Sequence, residues 1–316
     1  MKKKDVLAIT SLFCLCGCSN PEKEIVPARQ PLFPLQFSVR MEPENLPFPA
    51  TKSIPPLTIP EPSPNTSAGE TPTPPGGNTD ELYMYLDYLV FQANEPDRIV
   101  KHKHYTSDDT DFGIVYDSLP AGDYQLCFLA HSDKGISLSN RTATFAKVAD
   151  TFWAFQNQTV GSGAEIVQDL DLYRIISQVE FVSTETIPQN LKRFEMSISG
   201  FQDKIDLTTG TGLSENTPYT YTYAFQPGDV GKTRFTHSFQ TFIPAKGKTL
   251  NVRLTAYDPD GNVTHERDVT GIEPIRNRII RYTGKLYTPP GSDDTFTIHI
   301  PNDGKWEDPI ENELND

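Results

Sequence analysis

The sequence predicts an all-β protein built from two β-sandwiches in tandem. Apolar residues recur at every second position in short segments, and turns rich in Gly, Pro and Asp separate those segments at regular intervals. No long amphipathic helix is recognisable, and only residues 151–156 suggest a helical turn or two. A chain of about 300 residues after removal of a leader suits two domains of ordinary size.

The first region contains a strand at 34–41 (PLQFSVRM), which alternates Leu35, Phe37, Val39 and Met41 against polar residues. Apolar patterns predict three further strands at 81–92, 112–117 and 123–131. The turn at 120–123 contains Gly122, which can adopt a positive φ. These strands predict a first sandwich over residues 32–162.

The second region repeats this character after the flexible sequence Gly161-Ser162-Gly163. Strands are predicted at 165–172, 177–184, 193–199, 219–225, 234–243, 249–257, 263–268, 278–287 and 295–300. The last residues of the chain are included, so the second sandwich is predicted over 163–316.

The chain start predicts a bacterial lipoprotein. Three lysines precede an apolar stretch of about ten residues, which is too short to span a bilayer as a helix. The sequence Leu15-Cys16-Gly17-Cys18 resembles a lipobox, which predicts a signal peptide at 1–17, lipid on Cys18 and a tether at 18–31. The alternative is an ordinary cleaved signal that happens to contain cysteines. Because acyl chains hold a protein firmly on a membrane, we expect attachment without a spanning segment.

After cleavage and lipidation, Cys127 is the remaining thiol, so an intramolecular disulfide is not expected. Its apolar strand context predicts a buried small hydrophobe. The formal charge of -14 disfavours nucleic acid as a partner.

A proline-rich insertion is predicted at 42–79, with eleven prolines between residues 42 and 78. Proline lacks the N–H that a sheet ladder needs, which favours an irregular loop or a semi-rigid spacer. A proline-rich ligand for a partner is the less favoured alternative.

The sequence contains no recognisable nucleophile elbow, zinc-protease helix or phosphate-binding loop, so we predict no catalytic residues, no cofactor and no enzyme. His102 and His104 would share one face of a strand, but no third ligand is identifiable, which favours a solvated basic strand end over a metal site. We therefore predict no metal.

Three other groups have a structural and a functional interpretation. Asp258, Asp260 and Asn262 are typical of a hairpin turn more than of a calcium loop. Asp108, Asp109 and Asp111 suit a solvated loop more than an ion site. The tyrosines that alternate on one strand could stack on sugars, but they first indicate one covered strand face; they are Tyr219, Tyr221 and Tyr223.

Five segments, together with the lipobox, resemble the fimbrial anchor and minor-subunit lipoproteins of Bacteroidales. The segments are Glu81–Gln92 (ELYMYLDYLVFQ), Leu119–Leu129 (LPAGDYQLCFL), Leu172–Val182 (LYRIISQVEFV), Pro274–Leu286 (PIRNRIIRYTGKL) and Phe296–Trp306 (FTIHIPNDGKW). The proline-rich insertion is longer than this family leads us to expect.

The resemblance implies two transthyretin-like sandwiches on the outer membrane surface and assembly by strand exchange with pilin subunits. In shaft subunits of such fimbriae, a protease removes the first strand after an arginine. Arg29 and Arg40 flank the first strand here. A cut at either would separate the body from Cys18, so an anchor is expected to be left uncut at both.

The leading hypothesis is thus an outer-membrane lipoprotein that anchors or caps a fimbrium. The alternative is a surface glycan-binding lipoprotein of a nutrient-uptake system, which should present aromatic platforms; Trp153 and Trp306 are the only tryptophans. A hydrolase with a carboxylate pair in a cleft is a third, less favoured possibility.

Overall fold

The computed structural model describes residues 30–41, 83–163, 165–214 and 217–289, together with the backbone of a short strand at 297–299. Nearly all regular structure in these ranges is β-strand, which confirms the predicted all-β class. Pro227–Asp229 forms a turn of 3-10 helix. Within the described ranges, no helix is long and apolar enough to cross a membrane.

The described residues form nineteen strands. They are β1 Leu32–Met41, β2 Tyr85–Gln92, β3 Glu95–Thr106, β4 Ile114–Pro120, β5 Gly122–His131, β6 Ser137–Ser139, β7 Thr142–Thr144, β8 Thr151–Val160, β9 Ile166–Arg174, β10 Ile176–Ser183, β11 Arg193–Ser199, β12 Gln202–Asp206, β13 Thr211–Ser214, β14 Tyr219–Ala224, β15 Thr236–Phe242, β16 Leu250–Tyr257, β17 Val263–Ile272, β18 Ile279–Gly284 and β19 Thr297–His299.

Seven strands form one sheet in the order β3-β2-β5-β8-β9-β1-β4. Strands β8 and β9 are joined at one end only. Phe152 pairs with Arg174 and Trp153 with Tyr173, and the remaining residues of the two strands are not paired with each other. The sheet therefore separates into two layers, β3-β2-β5-β8 and β9-β1-β4. The apolar side chains of these layers share one buried core.

The other described strands form three four-stranded sheets, ordered β15-β10-β18-β19, β14-β11-β16-β17 and β13-β12-β7-β6, so that β6 and β7 of the first region join strands of the second. Strand β11 shows the predicted pattern, with Phe194, Met196 and Ile198 buried. Side chains from all three sheets belong to a second continuous core. Each sheet can bury one face in this way because side chains alternate along a strand.

Strands β2 and β5 contribute to both cores. Tyr88 on β2 and Phe128 on β5 lie in the first core. Leu89 and Leu129, the next residue along each strand, lie in the second core. A strand that is buried on both faces has an almost continuous apolar sequence, which explains the runs YLDYLVFQ and DYQLCFLAH.

The predicted elements were wrong at one segment and incomplete at several others. The segment 151–156 is not helical: it begins β8, which pairs with β5 along ten residues. Strand β3 was missed because its sequence, EPDRIVKHKHYT, has little apolar alternation. The small strands β6, β7, β12 and β13 were also missed, since three- to five-residue segments provide too few positions to show a period.

The leader at 1–17, Cys18 and the proline-rich insertion at 42–79 lie outside the described residues, as do Arg29 and Trp306. The division into sandwiches at 32–162 and 163–316 stays a prediction. Strand β9 lies just beyond that division and pairs with β1 in the first sheet.

Candidate functional site

The first strand of the described chain, β1, occupies a central position in its layer. It pairs antiparallel with β4 from Leu32 to Ser38 and parallel with β9 from Leu35 to Met41. Its sequence neighbour β2 lies elsewhere in the sheet. The segment therefore fills a slot between two strands that come much later in the chain.

Apolar side chains of β1 fill the floor of this slot. Leu35, Phe37 and Val39 are buried, as their alternation predicted. The Phe37 ring packs against Phe128 edge-on, with centroids 5.1 Å apart, and lies 6.2 Å from the ring of Tyr88. Strand β1 is thus held by backbone pairing on both sides and by apolar side chains buried at alternate positions.

An ion pair between Arg40 and Asp169 closes the C-terminal end of β1. Both side chains are about half exposed, so solvent screens the pair. Arg40 lies inside the paired part of β1, opposite Asp171 of β9. A protease that recognised Arg40 would first have to separate β1 from its partner.

The outer edges of the two layers are closed by lysines. Lys101 and Lys103 on β3 point to the same side as the first core, opposite Val90 and Tyr88. Lys101 forms an ion pair with Asp117 of β4 and donates to the Ser118 carbonyl at 3.2 Å. Lys103 donates to the Tyr116 carbonyl. Charges that point inward at a sheet edge oppose pairing with another chain.

The other face of β3 carries His102 and His104, which are solvent-exposed as expected for a solvated strand but which also meet a buried carboxylate. Each ring is about 40% exposed, but both are hydrogen-bonded to Asp87 on β2. His102 Nε2 lies 2.6 Å and His104 Nδ1 2.8 Å from Asp87 Oδ1. His131 Nε2 lies 2.8 Å from the other carboxylate oxygen. Sequence spacing could not find Asp87, since it sits on a different strand.

The carboxylate of Asp87 is buried, with 1% of its side chain exposed. Burial alone raises the pKa of Asp87, but the hydrogen bonds from His102, His131 and His104 outweigh this effect and hold its pKa well below the ordinary value. Asp87 is therefore an ionised group on the face of β2 that otherwise contributes to the second core.

The acidic groups that the sequence singled out form ordinary turns. Asp258 accepts hydrogen bonds from the backbone and side chain of Asn262, and Gly261 has a φ of +85°. Asp109 accepts from the backbone N–H and hydroxyl of Thr106. These local hydrogen bonds are sufficient to explain why acidic residues occur in both turns.

The aromatic candidates separate into packed and exposed rings. Trp153 donates from Nε1 to the Leu207 carbonyl and stacks on Phe155, so it is not a free platform. Tyr221 and Tyr223 pack against the second core. Tyr219 is 43% exposed and stacks on Phe201, with centroids 4.3 Å apart.

Tyr219 and Phe201 line a cleft of about 430 Å³. Its polar groups include Gln178, Gln240 and Asp203. An aromatic ring beside amide and carboxylate groups is a combination that suits a polar ligand with an apolar face.

Cys127 is fully buried and belongs to the second core, as its apolar context predicted. Burial raises the pKa of its thiol well above the ordinary value. The side chain therefore contributes packing and no nucleophile.

Comparisons with known proteins find solved structures with a similar fold. Two Bacteroides ovatus proteins, each described as a "putative adhesin", match with TM-scores of 0.50. They are 13% and 10% identical, and the matches cover 81% and 89% of this chain and 88% and 96% of theirs. The fimbrial anchor protein Mfa2 from Porphyromonas gingivalis matches at 11% identity with a TM-score of 0.49, over 85% of this chain and 97% of that one.

At these identities the structural likeness concerns the fold alone. No curated protein matches the sequence. The model of a family described as "Family of unknown function (DUF6562)" matches residues 117–316. Since that match covers more than half of the chain, the protein belongs to the DUF6562 family.

Proposed function

We propose that this protein is a lipid-anchored component of a surface fimbrium, held at the outer membrane through Cys18, that anchors or caps the fibre by strand exchange with pilin subunits. One observation carries the proposal: β1 lies between β4 and β9, and not beside its sequence neighbour β2. The slot is thus filled by a segment from a distant part of the chain, as a donated strand would fill it.

The chemistry of the slot supports this interpretation. A strand in this position pairs its backbone on both sides and inserts side chains equivalent to Leu35, Phe37 and Val39. Backbone pairing supplies affinity, and the pockets for alternate side chains supply specificity. The charged edge at β3 opposes the same event there, so β1 is the position at which exchange is favoured.

An anchor has a further requirement, because it must keep β1 together with the lipid. Cys18 precedes β1, so a cut after Arg29 or Arg40 would release the body from the membrane. The pairing of Arg40 within β1 opposes cutting there. The fold shared with the two Bacteroides ovatus proteins is consistent with a role at the cell surface.

The proposal is tested by shearing fibres from cells that express wild type or Cys18→Ala. We expect wild type to remain with the membrane together with attached fibres, and Cys18→Ala to release fibres into the medium. Cys16→Ala is the matched control, because it changes a neighbouring cysteine that lies within the predicted leader. Fibres that are absent, or indifferent to Cys18→Ala, would contradict the anchor.

The mass of the N-terminal peptide separates an anchor from a shaft subunit. Protein taken from cells should begin at Cys18 and carry acyl chains. A chain that begins at Gln30 or Met41 would indicate cleavage after Arg29 or Arg40, and the protein would then be a processed subunit.

A second candidate function, glycan binding, is favoured by the cleft at Tyr219. The exposed ring and the nearby groups Gln178, Gln240 and Asp203 offer a stacking surface and hydrogen-bond partners for a sugar. A glycan-array screen would test it, with Tyr219→Ala against Tyr116→Ala. Tyr116 is a matched control because it is an exposed tyrosine on β4, outside the cleft. Binding that Tyr219→Ala removes and Tyr116→Ala retains would support this alternative.

A further inference from the structure

We propose that Asp87, His102 and His104 form a binding site for a divalent transition-metal ion, with zinc as the best fit. Each side chain offers one ligand atom, and these atoms all lie within 4.8 Å of one another. Two imidazoles and a carboxylate are a common donor set for zinc, with a remaining position for water or another ligand. This inference does not depend on the fimbrial proposal.

The sheet positions the three ligands. His104 lies directly opposite Asp87 in the β2–β3 register, and His102 lies opposite Leu89. Since side chains on a strand alternate between faces, both histidines project on the same side as Asp87. Neighbouring strands are about 4.8 Å apart, so a carboxylate and two rings converge over a small area.

The ligand atoms lie close enough to converge on one ion after a small adjustment. A zinc ion lies about 2.0–2.2 Å from nitrogen and oxygen ligands, which places tetrahedral ligand atoms roughly 3.3 Å apart. Asp87 Oδ1 lies 2.6 Å from His102 Nε2 and 2.8 Å from His104 Nδ1. The ligands must therefore spread by about half an ångström. The two histidine side chains are 40% and 43% exposed on an edge strand, which leaves them room to move.

A supporting shell holds the carboxylate. His131 Nε2 lies 2.8 Å from Asp87 Oδ2, a position from which it can donate a hydrogen bond to the carboxylate. The His131 ring stacks on Tyr85, with centroids 5.4 Å apart, and meets Phe145 edge-on. The His104 ring also stacks on Tyr85, with centroids 5.5 Å apart. Metal-ligating carboxylates are commonly hydrogen-bonded in this manner, which orients them and tunes affinity.

The charges also favour a cation. The Asp87 carboxylate is buried on a largely apolar strand face, and a divalent ion would provide a direct charge partner for it there. Each ring would coordinate as a neutral imidazole through the nitrogen that faces Asp87 Oδ1, with its proton on the other nitrogen. The bound ion would link edge strand β3 to β2.

The test is zinc titration of the full-length chain, purified in detergent without a histidine tag and stripped with chelator. We expect one equivalent of Zn²⁺ to bind, and Co²⁺ to give visible absorption bands of a four-coordinate site. His102→Gln and His104→Gln should each weaken binding by more than about tenfold, because a direct ligand should matter at least as much as the outer-shell partners. Arg98→Gln, an exposed substitution on the same strand, should bind as wild type does.

Circular dichroism of each variant shows whether it has folded, and both histidines are exposed enough for substitution to be tolerated. Asp87→Asn keeps the shape of the carboxylate and should also abolish stoichiometric binding. The proposal would be overturned if wild type showed no saturable Zn²⁺ binding at concentrations up to about 1 mM. That dissociation constant corresponds to a binding free energy of about 4 kcal/mol. Unchanged binding in the folded double variant His102→Gln/His104→Gln would overturn it equally.

Discussion

Strands β1 and β3 belong to the same seven-stranded sheet but hold their positions by opposite means. β1 is paired on both sides and places Leu35, Phe37 and Val39 in the first core. β3 is paired with β2 on one side and carries Lys101 and Lys103 toward the core side. Strand β1 is held by apolar burial and by backbone pairing on both sides. Strand β3 combines backbone pairing on one side with charged contacts.

The difference indicates where the proposed strand exchange would be favoured. A position defined by backbone groups and apolar pockets suits a segment with the right alternation of side chains. Lys101 and Lys103 bond to Asp117 and to carbonyls of β4, and such inward-pointing charges disfavour a new strand at the β3 edge. Three substitutions test this contrast between apolar and charged positions.

Phe37→Ala should have the largest effect, because Phe37 is fully buried in the first core. We expect the free energy of unfolding to fall by about 3–5 kcal/mol, measured by urea denaturation. Gln36→Ala, on the opposite face of β1, is the matched control and should change stability by less than about 0.5 kcal/mol. Similar values for the two variants would mean that β1 does not bury its apolar face.

Lys101→Met with Lys103→Met should have an intermediate effect. The Asp117 carboxylate, 1% exposed, would lose both cations that contact it. We expect a loss of about 1–3 kcal/mol, the cost of a buried acceptor left without its partner. Sedimentation should also show self-association through the unprotected edge.

Adding Asp117→Asn to this double variant should restore part of the lost stability, because a neutral amide needs no cation. A double variant as stable and as monodisperse as wild type would contradict a protective role for the lysines.

Arg40→Ala should have the smallest effect, since Arg40 and Asp169 are 49% and 59% exposed. We expect a change below about 1 kcal/mol that diminishes at high salt. Arg98→Ala removes a comparable exposed pair with Glu95 on β3 and provides the reference. If Arg40→Ala alone lowered the free energy of unfolding by more than about 2 kcal/mol, the ion pair with Asp169 would hold the end of β1 more strongly than an exposed pair should.

Local sequence pattern was sufficient for much of the fold. The alternation in PLQFSVRM predicted β1 and its buried residues, and most longer strands in the described ranges were located within a few positions. Such patterns are informative because a half-buried strand must place apolar side chains at every second residue. Strand β8 was missed for the opposite reason: its pairing with β5, and not its own sequence, determines its conformation.

The candidate sites were less accessible to sequence reasoning. His102 and His104 were recognised as a pair that shares a face, but Asp87 and His131 come from two other strands. The lysines of β3 appeared to be solvent groups, while the structure directs them across the sandwich to β4. In each case, the missing partner is distant in sequence and depends on strand order.

The sequence by itself determined the all-β class, the alternation of β1 and the burial of Cys127, because each depends on residues close together in the chain. The tertiary structure decided that β1 lies between β4 and β9, that lysines close the edge at β3, and that Asp87 meets three histidines. Strand order and register set these contacts, and both result from the simultaneous burial of two apolar faces.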